Sequence, residues 1–291
     1  MMMTLLNRHS FISETINQRF YKMKIAFVGD IVGRPGRDML QKYLIKLREE
    51  EKLDFVIVNY ENASHGFGLS MKNCNELFSY GIDVMSGGNH SWDKKDIIPL
   101  FDTHEILRPH NYPEEVSGTG CKTYEVNGEK IAVLNLMGHY GMPYADNAFR
   151  CALKEVERLE VEGVKNIFID FHAEATSEKR GMMMLLQGRV SGIVGTHTHV
   201  STDDFQIVQG TAYLTDIGLT GCRDNVIGMD KKVPLKNFLT GMKGHFDIPK
   251  KCNAIMQVAI MELSDGKCTS AYKVKQFCDG RVINTEAWME D

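Results

Sequence analysis

The 291-residue chain lacks a large excess of charge and a long hydrophobic run. Its formal net charge of −4 gives no electrostatic reason to expect nucleic acid or an acidic membrane as a default partner. No apolar run approaches the roughly 18 residues that a membrane span needs, so we expect no membrane partner. Hydrophobic residues make up 43% of the chain and charged residues 25%, as in ordinary globular proteins. This length allows one large α/β domain or two small ones.

Closely spaced cysteines are also missing. The seven cysteines are odd in number, scattered, and contain no CxxC motif. We therefore expect no disulfide framework and interpret the thiols as packing residues. Such cysteine usage is typical of a reducing compartment, which predicts a cytoplasmic protein.

The first 22 residues lack the apolar core and small-residue cleavage site of a secretory signal. The string "MKIAFVGD", which begins at Met23, looks like a natural start. We predict that 1–22 is a disordered or weakly helical extension, or the product of a start codon assigned too early. No internal repeat or low-complexity linker divides the rest, so 23–291 is predicted to be a single domain.

Short apolar runs alternate with segments of helical period from Lys24 onward. Strands are predicted at 24–28, 53–58, 82–86, 130–137, 164–171 and 189–194. Helices are predicted at 36–51, 70–80, 93–101, 147–162 and 178–187. Later runs have the pattern of hairpins that turn at Gln209-Gly210 and Asp265-Gly266. The pattern predicts an α/β fold, a β-α-β series closed by antiparallel strands, with ligands bound beyond the carboxyl ends of the strands.

Side chains that can bind metal follow five of the six predicted strands. In chain order they are Asp30, Glu61, Asn62, Asn89, His172, His197 and His199. Each alone also fits a cap, a turn or a core position, but their joint placement at one edge predicts a metal site. Seven ligands are too many for one ion with an open position, so we predict two divalent ions that share a carboxylate. Oxygen and nitrogen ligands without thiolate favour iron or manganese, with zinc as an alternative.

Several strings resemble known phosphoesterases. "GD" at 29–30, "GNH" at 88–90, His172 after a strand and "GTHTH" at 195–199 resemble the calcineurin-like metallophosphoesterases. The longer strings "GDIVGRPGRDML", "NYENASHGFG", "GGNHSWD", "DFHAEATSEK" and "YLTDIGLTG" are similar to the YmdB-type branch. Members of that branch are described as cyclic-nucleotide phosphodiesterases with a di-iron or similar centre. The resemblance covers nearly all of 23–291 and implies β-sheets flanked by helices, with the ligands at strand carboxyl ends.

The resemblance also implies a division of the ligands. Glu61 would bridge the ions, Asp30, Asn62 and His199 would complete one site, and Asn89, His172 and His197 would complete the other. Most of the superfamily has Asp-x-His at the first strand, whereas Val32 stands here at the histidine position, and the bridging acid is Glu61 rather than Asp. Asn62 would supply an oxygen in place of the missing imidazole, which favours manganese or iron over zinc. This departure matches the YmdB-type branch.

The chain leaves the sixth strand through Gly195. We therefore expect a turn in which His197 and His199 reach different ions.

The implied reaction is hydrolysis of 2′,3′- and/or 3′,5′-cyclic nucleotides. Two cations lower the pKa of a shared water, and the resulting hydroxide attacks phosphorus in line with the leaving ribose oxygen. His90 would face the substrate and act as the general acid. Asp93 is predicted either to orient His90 or to cap the helix at 93–101. His139 is a candidate phosphate contact, and Glu174 a candidate partner for a metal-binding imidazole.

A serine esterase of the SGNH type would need serine where Ile31 stands, which excludes that class. Two alternatives stay open: a phosphomonoesterase or nucleic-acid-end phosphatase, and a metal-binding regulator with little catalysis that acts through a protein or RNA partner. The resemblance also implies a homo-oligomer.

Overall fold

The computed structural model describes residues 22–290. Apart from Lys22, the predicted extension at 1–22 lies outside these residues. Within the described part of the chain, no helix is both long and apolar enough to cross a membrane.

Two β-sheets form the centre of the fold among the described residues. The first sheet contains β1 (Met23–Val28), β2 (Asp30–Ile31), β3 (Phe55–Asn59), β4 (Val84–Ser86), β11 (Leu219–Cys222), β12 (Ala254–Ser264), β13 (Lys267–Phe277) and β14 (Val282–Glu286). The second contains β5 (Cys121–Val126), β6 (Glu129–Met137), β7 (Asn166–His172), β8 (Gly192–Thr196), β9 (Gln206–Val208), β10 (Thr211–Leu214) and β15 (Trp288–Glu290). The main orders are β14-β13-β12-β1-β3-β4, with β11 beside β12 and β2, and β15-β9-β10-β8-β7-β6-β5.

The helices of the described chain are α1 (Gly33–Glu51), α2 (Met71–Phe78), α3 (Ile97–Thr103), α4 (Ala148–Val161), α5 (Thr176–Leu186) and α6 (Lys232–Thr240). Helices α1 to α5 cover the outer faces of the sheets, and α6 lies in the segment between β11 and β12. Ser70 caps α2 by accepting from the Asn73 N–H, and Asn147 caps α4 by accepting from the Arg150 N–H.

Alternation along the strands separates three apolar layers. In β1, Ala26 and Val28 belong to the cluster shared with α1 and α2, whereas Ile25 and Phe27 point into the layer between the sheets. A third cluster packs α4 and α5 against the second sheet. Because successive side chains of a strand face opposite sides, a strand buried on both faces is apolar throughout. The result is two sheets face to face with helices outside, which confirms the predicted fold class.

The parallel strands bring the predicted ligand positions together. β1, β3 and β4 are parallel in the first sheet, and β6, β7, β8 and β10 are parallel in the second. Both predicted hairpins are confirmed, with turns at Gln209-Gly210 and Asp265-Gly266. The strand predicted at 189–194 instead covers Gly192–Thr196, and the helix predicted at 93–101 begins at Ile97. The sequence patterns missed α6, β5 and the short or terminal strands β2, β11, β14 and β15.

A disulfide joins Cys222 to Cys252, so the expectation of no disulfide is wrong. The two cysteines are 30 residues apart in sequence and meet only because β11 pairs with β12, which sets Cys222 opposite Ala254. Spacing along the chain does not reveal such a partner. The disulfide joins the two ends of the stretch between these cysteines, residues 223–251, which contains α6 and is called the 223–251 segment below.

Candidate metal centre

The seven predicted ligands meet where the carboxyl ends of the two sheets face each other. Strand β2 supplies Asp30, and the loops after β3 and β4 supply Glu61, Asn62 and Asn89. Strand β7 supplies His172, and the turn after β8 supplies His197 and His199. Five of the seven are buried, while Asn89 and His197 are half-buried.

One group of ligand atoms surrounds His172. Its Nε2 lies 3.2 Å from Glu61 Oε1, 2.9 Å from Asn89 Oδ1 and 3.1 Å from His197 Nδ1. Glu61, His172 and His197 each offer a ligand atom within 4.8 Å of the other two. These are the spacings expected around one ion.

A second group lies around His199. Its Nε2 is 3.1 Å from Asn62 Oδ1. Asp30 is fully buried, and its Oδ1 has no hydrogen-bond partner, while its Oδ2 accepts from the His197 backbone N–H at 3.1 Å. An unpaired buried carboxylate oxygen is costly unless a cation satisfies it.

The outer nitrogens of the three imidazoles define their tautomers. The Ile227 carbonyl lies 2.8 Å from His199 Nδ1, and a carbonyl only accepts. Thr196 donates its hydroxyl proton to Asp170 Oδ1 at 2.6 Å, so it accepts from His172 Nδ1–H at 2.9 Å. Glu174 Oε2 lies 3.1 Å from His197 Nε2 and accepts there. In its neutral form each ring would therefore direct a lone pair inward, as in metal-binding histidines whose other N–H donates to a fixed acceptor.

The inward lone pairs face further acceptors, and such contacts repel unless positive charge lies between them. Burial alone would lower the pKa of His172, but Glu61 and the nearby aspartates raise it to about 9. Burial would raise the pKa of Glu61, but His172 and His90 lower it to about 2. Burial, reinforced by neighbouring carboxylates, raises the pKa of Asp30, and burial together with His172 lowers the pKa of His197 to about 3. The donor set of three imidazoles and four oxygen ligands therefore fits divalent cations.

The turn that carries His197 and His199 has an uncommon backbone. Both residues have positive φ, 97° and 63°, a conformation that non-glycine residues adopt only where the surroundings enforce it. Asp216 Oδ2 accepts from the Thr198 N–H at 3.1 Å and from Lys179 Nζ at 2.6 Å. Lys179 and Asp216 are each 1% exposed, so a buried ion pair holds the turn. The sequence analysis missed both residues, although they lie within the quoted strings "DFHAEATSEK" and "YLTDIGLTG".

Asp170 was missed as well. Its carboxylate is fully buried and accepts from Asn59 Nδ2 at 3.0 Å, Ser86 Oγ at 2.5 Å and Thr196 Oγ1 at 2.6 Å. Through Thr196 it supports the His172 ring. A carboxylate in an otherwise apolar buried strand is the sequence signal that could have found it.

His90 stands beside this centre. Its backbone N–H donates to Glu61 Oε2 at 2.9 Å, and its ring contacts the Phe67 ring edge-on with centroids 4.9 Å apart. Its Nδ1 lies 2.7 Å from Asp93 Oδ2. The nearby helix has Asp96 at its N-cap, so the capping role predicted for Asp93 is wrong and the contact with His90 is the one observed.

A cavity of about 580 Å³ opens above the centre. Its polar residues are Glu61, Asn62, His90, Glu174, His197, Thr198 and His199, and its apolar wall consists of Phe67, Val200, Val226, Ile227, Met229, Pro234, Phe238 and Phe246. Most of that wall comes from the 223–251 segment. His139 is exposed outside this lining, and its backbone N–H donates to Glu178.

Comparison with known proteins gives a consistent result. The chain is 43% identical over 243 residues to the 2′,3′-cyclic-nucleotide 2′-phosphodiesterase of Bacillus subtilis, covering 82% of this chain and 90% of that protein. The crystal structure of a novel phosphatase from Mycoplasma pneumoniae superposes with a TM-score of 0.84 at 31% identity, over 89% of this chain and 94% of that one. A 5′-nucleotidase precursor from Thermus thermophilus shares the fold alone, with a TM-score of 0.55 at 11% identity over 91% of this chain and 55% of that one.

By name these proteins are phosphoester hydrolases, which confirms the predicted enzyme class. The model of the YmdB-like protein family matches residues 26–274. The chain therefore belongs to the YmdB-like protein family.

Proposed function

We propose that this protein hydrolyses 2′,3′-cyclic nucleotides at a pair of divalent metal ions. The observation that carries the proposal is the convergence of seven ligand-type side chains, in which His172 Nε2 and His199 Nε2 face amide oxygens and His197 Nδ1 faces His172 Nε2. The similarity to the Bacillus subtilis enzyme supports the choice of substrate. Hydrolysis of 3′,5′-cyclic nucleotides is a further activity to be tested at the same site.

The ligands divide between two ions. Asp30, Asn62 and His199 would hold one ion, Asn89, His172 and His197 the other, and Glu61 would lie between them. When bound, the ions supply Lewis-acid chemistry: they polarise the phosphate and lower the pKa of water. We propose iron or manganese, with zinc as the alternative, because the set combines oxygen and nitrogen without thiolate.

His90 acts as the general acid in this proposal. Asp93 accepts from His90 Nδ1, which leaves Nε2 to carry the proton for the leaving ribose oxygen. The edge of the Phe67 ring restricts rotation of the imidazole. A general acid in such a position contributes about 10²–10⁴-fold to the rate. Glu174 holds His197 by its outer nitrogen.

The cavity suits a small nucleotide. Its volume of about 580 Å³ falls within the range of roughly 300–1,000 Å³ typical of small-molecule sites. Phosphate would lie over the polar floor, and the base would lie against the apolar wall that includes Phe67 and Phe238.

One alternative keeps the metal chemistry and changes the substrate. The Mycoplasma pneumoniae relative is called a phosphatase, which favours a phosphomonoesterase as the second candidate. A regulator without catalysis is less well supported, because a binding module has no need for the His90–Asp93 pair beside the metal ligands.

The decisive experiment measures metal content and turnover on the same sample. The substrates are a 2′,3′-cyclic mononucleotide, a 3′,5′-cyclic mononucleotide and a phosphomonoester. We expect two ions per chain and the highest kcat/KM for the 2′,3′-cyclic compound. Asp30→Asn should lose an ion and most activity, whereas Asp38→Asn, on the exposed face of α1, is the matched control and should lose neither. Faster cleavage of the monoester would replace the proposed substrate, and a metal-loaded protein that cleaves none of the three would contradict the proposal.

Three further points stay proposals: a single domain over 23–291, a cytoplasmic location and a homo-oligomer. The first is supported by apolar clusters that unite strands from the start and the end of the described chain.

A further inference from the structure

A two-residue turn of the 223–251 segment lies at the cavity. The Val226 N–H donates to the Met229 carbonyl at 3.0 Å, and the Met229 N–H donates to the Val226 carbonyl at 2.9 Å. The two residues between them, Ile227 and Gly228, have φ of 46° and 92°. Antiparallel pairing around two residues of positive φ is the type I′ turn, which favours Asn-Gly and Asp-Gly. Isoleucine stands here at the position where asparagine or aspartate is preferred.

Three other turns within residues 22–290 provide a comparison. Each joins two paired strands through a residue of positive φ followed by a glycine of positive φ, and the turns are Asn127-Gly128, Gln209-Gly210 and Asp265-Gly266. All three have a polar first residue. Among the non-glycine residues of positive φ in the same range, Ile227 alone is β-branched. Because branching at Cβ crowds the backbone in this conformation, isoleucine makes the turn less stable than asparagine would.

Neither core packing nor the hydrogen bond to His199 accounts for the isoleucine. Ile227 is 49% exposed, so it fills no core position. Its neighbours fix the turn, because an added Cβ on Gly228 would lie 2.7 Å from Val32 Cγ1 and Met229 is buried. Ile227 accepts from His199 Nδ1 through its carbonyl, a group that every residue has. What remains is the cavity, which Ile227 lines.

We propose that Ile227 is a substrate-binding residue whose side chain contacts the nucleoside of the cyclic nucleotide. The hydrogen bond to His199 fixes its backbone relative to the polar floor of the cavity. Its half-exposed side chain loses contact with water when the nucleoside binds, and burial of apolar surface favours binding. A local rule is broken here at the site of function, where such exceptions are expected. This inference rests on the proposed function and adds a residue that recognises the nucleoside of the same substrate.

Two substitutions separate the side chain from the turn. Ile227→Asn supplies the preferred turn residue and removes the apolar contact. It should raise the melting temperature by about 2–4 °C, because the crowding at positive φ is relieved. It should also raise the KM for 2′,3′-cyclic adenosine monophosphate about fivefold to tenfold with kcat within about twofold, because half a side chain is no longer buried by substrate. Ile227→Leu, which is apolar but not branched at Cβ, should keep the KM within about twofold.

The matched control places isoleucine in a turn of the same type away from the cavity. Gln209 is exposed and lies before the amino end of β10, outside the cavity lining. Gln209→Ile should lower the melting temperature by about 2–4 °C and leave the KM and kcat unchanged.

A second substrate identifies what the Ile227 side chain contacts. Glycerol 1,2-cyclic phosphate has the same five-membered cyclic phosphodiester but neither ribose nor base. Its KM should be the same for Ile227→Asn and the unmodified protein. Competition with a chelator should show unchanged affinity for metal, because the variant keeps the carbonyl that accepts from His199.

Each contrary result has a definite meaning. An unchanged nucleotide KM in Ile227→Asn overturns the inference, and so does a fall in its melting temperature, since the side chain would then stabilise the fold. An equal rise in KM for both substrates, or weaker metal binding, would assign Ile227 to the metal centre and also overturn it. In these cases the unmodified protein still hydrolyses the cyclic nucleotide and the proposed function stands. If the unmodified, metal-loaded protein hydrolyses no cyclic nucleotide, the proposed function fails and the inference fails with it.

Discussion

Replacing Thr196 with valine removes one hydroxyl from the shell around the candidate metal centre and keeps the shape of the side chain. Thr196 ends β8 and is fully buried. Its hydroxyl accepts from His172 Nδ1–H and donates to Asp170. Thr196→Val therefore leaves a buried N–H without its acceptor and a buried carboxylate without one of its three side-chain donors.

The size of the effect follows from these two lost hydrogen bonds. Each unsatisfied buried partner costs about 1–3 kcal/mol, so we expect the free energy of unfolding to fall by about 2–6 kcal/mol. His172 also loses the contact that fixes its tautomer. Loss of such a partner typically weakens metal binding about 10–100-fold, which corresponds to roughly 1.4–2.7 kcal/mol.

Two measurements check this prediction. Urea unfolding of the metal-free protein gives the stability, and competition with a chelator gives the affinity of each ion. The ion held by His172 should weaken, and the ion held by His199 should change much less. Thr196→Ser, which restores the hydroxyl, should recover the affinity. If Thr196→Val binds both ions as tightly as the unmodified protein does, the inferred tautomers are wrong.

Three other perturbations have clear expected results. His90→Ala should keep both ions and lower kcat about 10²–10⁴-fold, and an unchanged rate would remove His90 from the reaction. Replacing both Cys222 and Cys252 with serine should lower the free energy of unfolding by about 3–4 kcal/mol in oxidising buffer, because the unfolded chain is then no longer constrained by a closed loop of this length. If the variant and the unmodified protein are equally stable, the pairing of β11 with β12 rather than the disulfide closes the segment. Removing metal with a chelator should lower the melting temperature of the protein, because a ligand present at about 100 times its Kd stabilises the folded state by about 2.7 kcal/mol. A thermal unfolding curve that the chelator does not change would contradict metal binding.

The positions of the ligands were predictable because a simple rule governs parallel sheets. Asp30, Glu61, Asn89 and His172 each follow an apolar run, and carboxyl ends of parallel strands meet at one edge. The groups that hold these ligands were not predictable in the same way. Lys179 and Asp216 form an ion pair although they are 37 residues apart in sequence. The residues next to either one give no indication of its partner.

The 223–251 segment escaped prediction for a different reason. In α6 only Pro234 is buried, so the short apolar set of Pro234, Leu235, Phe238 and Leu239 is not the core-facing stripe by which a helix is usually identified. Its disulfide depends on strand pairing that spacing does not encode.

The candidate ligands come from both sheets: four lie in β2 and the loops of the first sheet, and three lie in β7 and the turn after β8 of the second. The geometry of the candidate centre therefore depends on how the two sheets pack against each other. Away from these side chains, the two sheets pack closely: Met261 of the first sheet lies over Gly192 of the second, where an added Cβ would be 3.2 Å from the Met261 sulfur. Any substitution that thickens this layer would spread His172 from Glu61 without touching either. The affinity for metal and the preference among metals would then change with packing in the interior. Ions bound between the two sheets would in turn stabilise the packing of one sheet against the other.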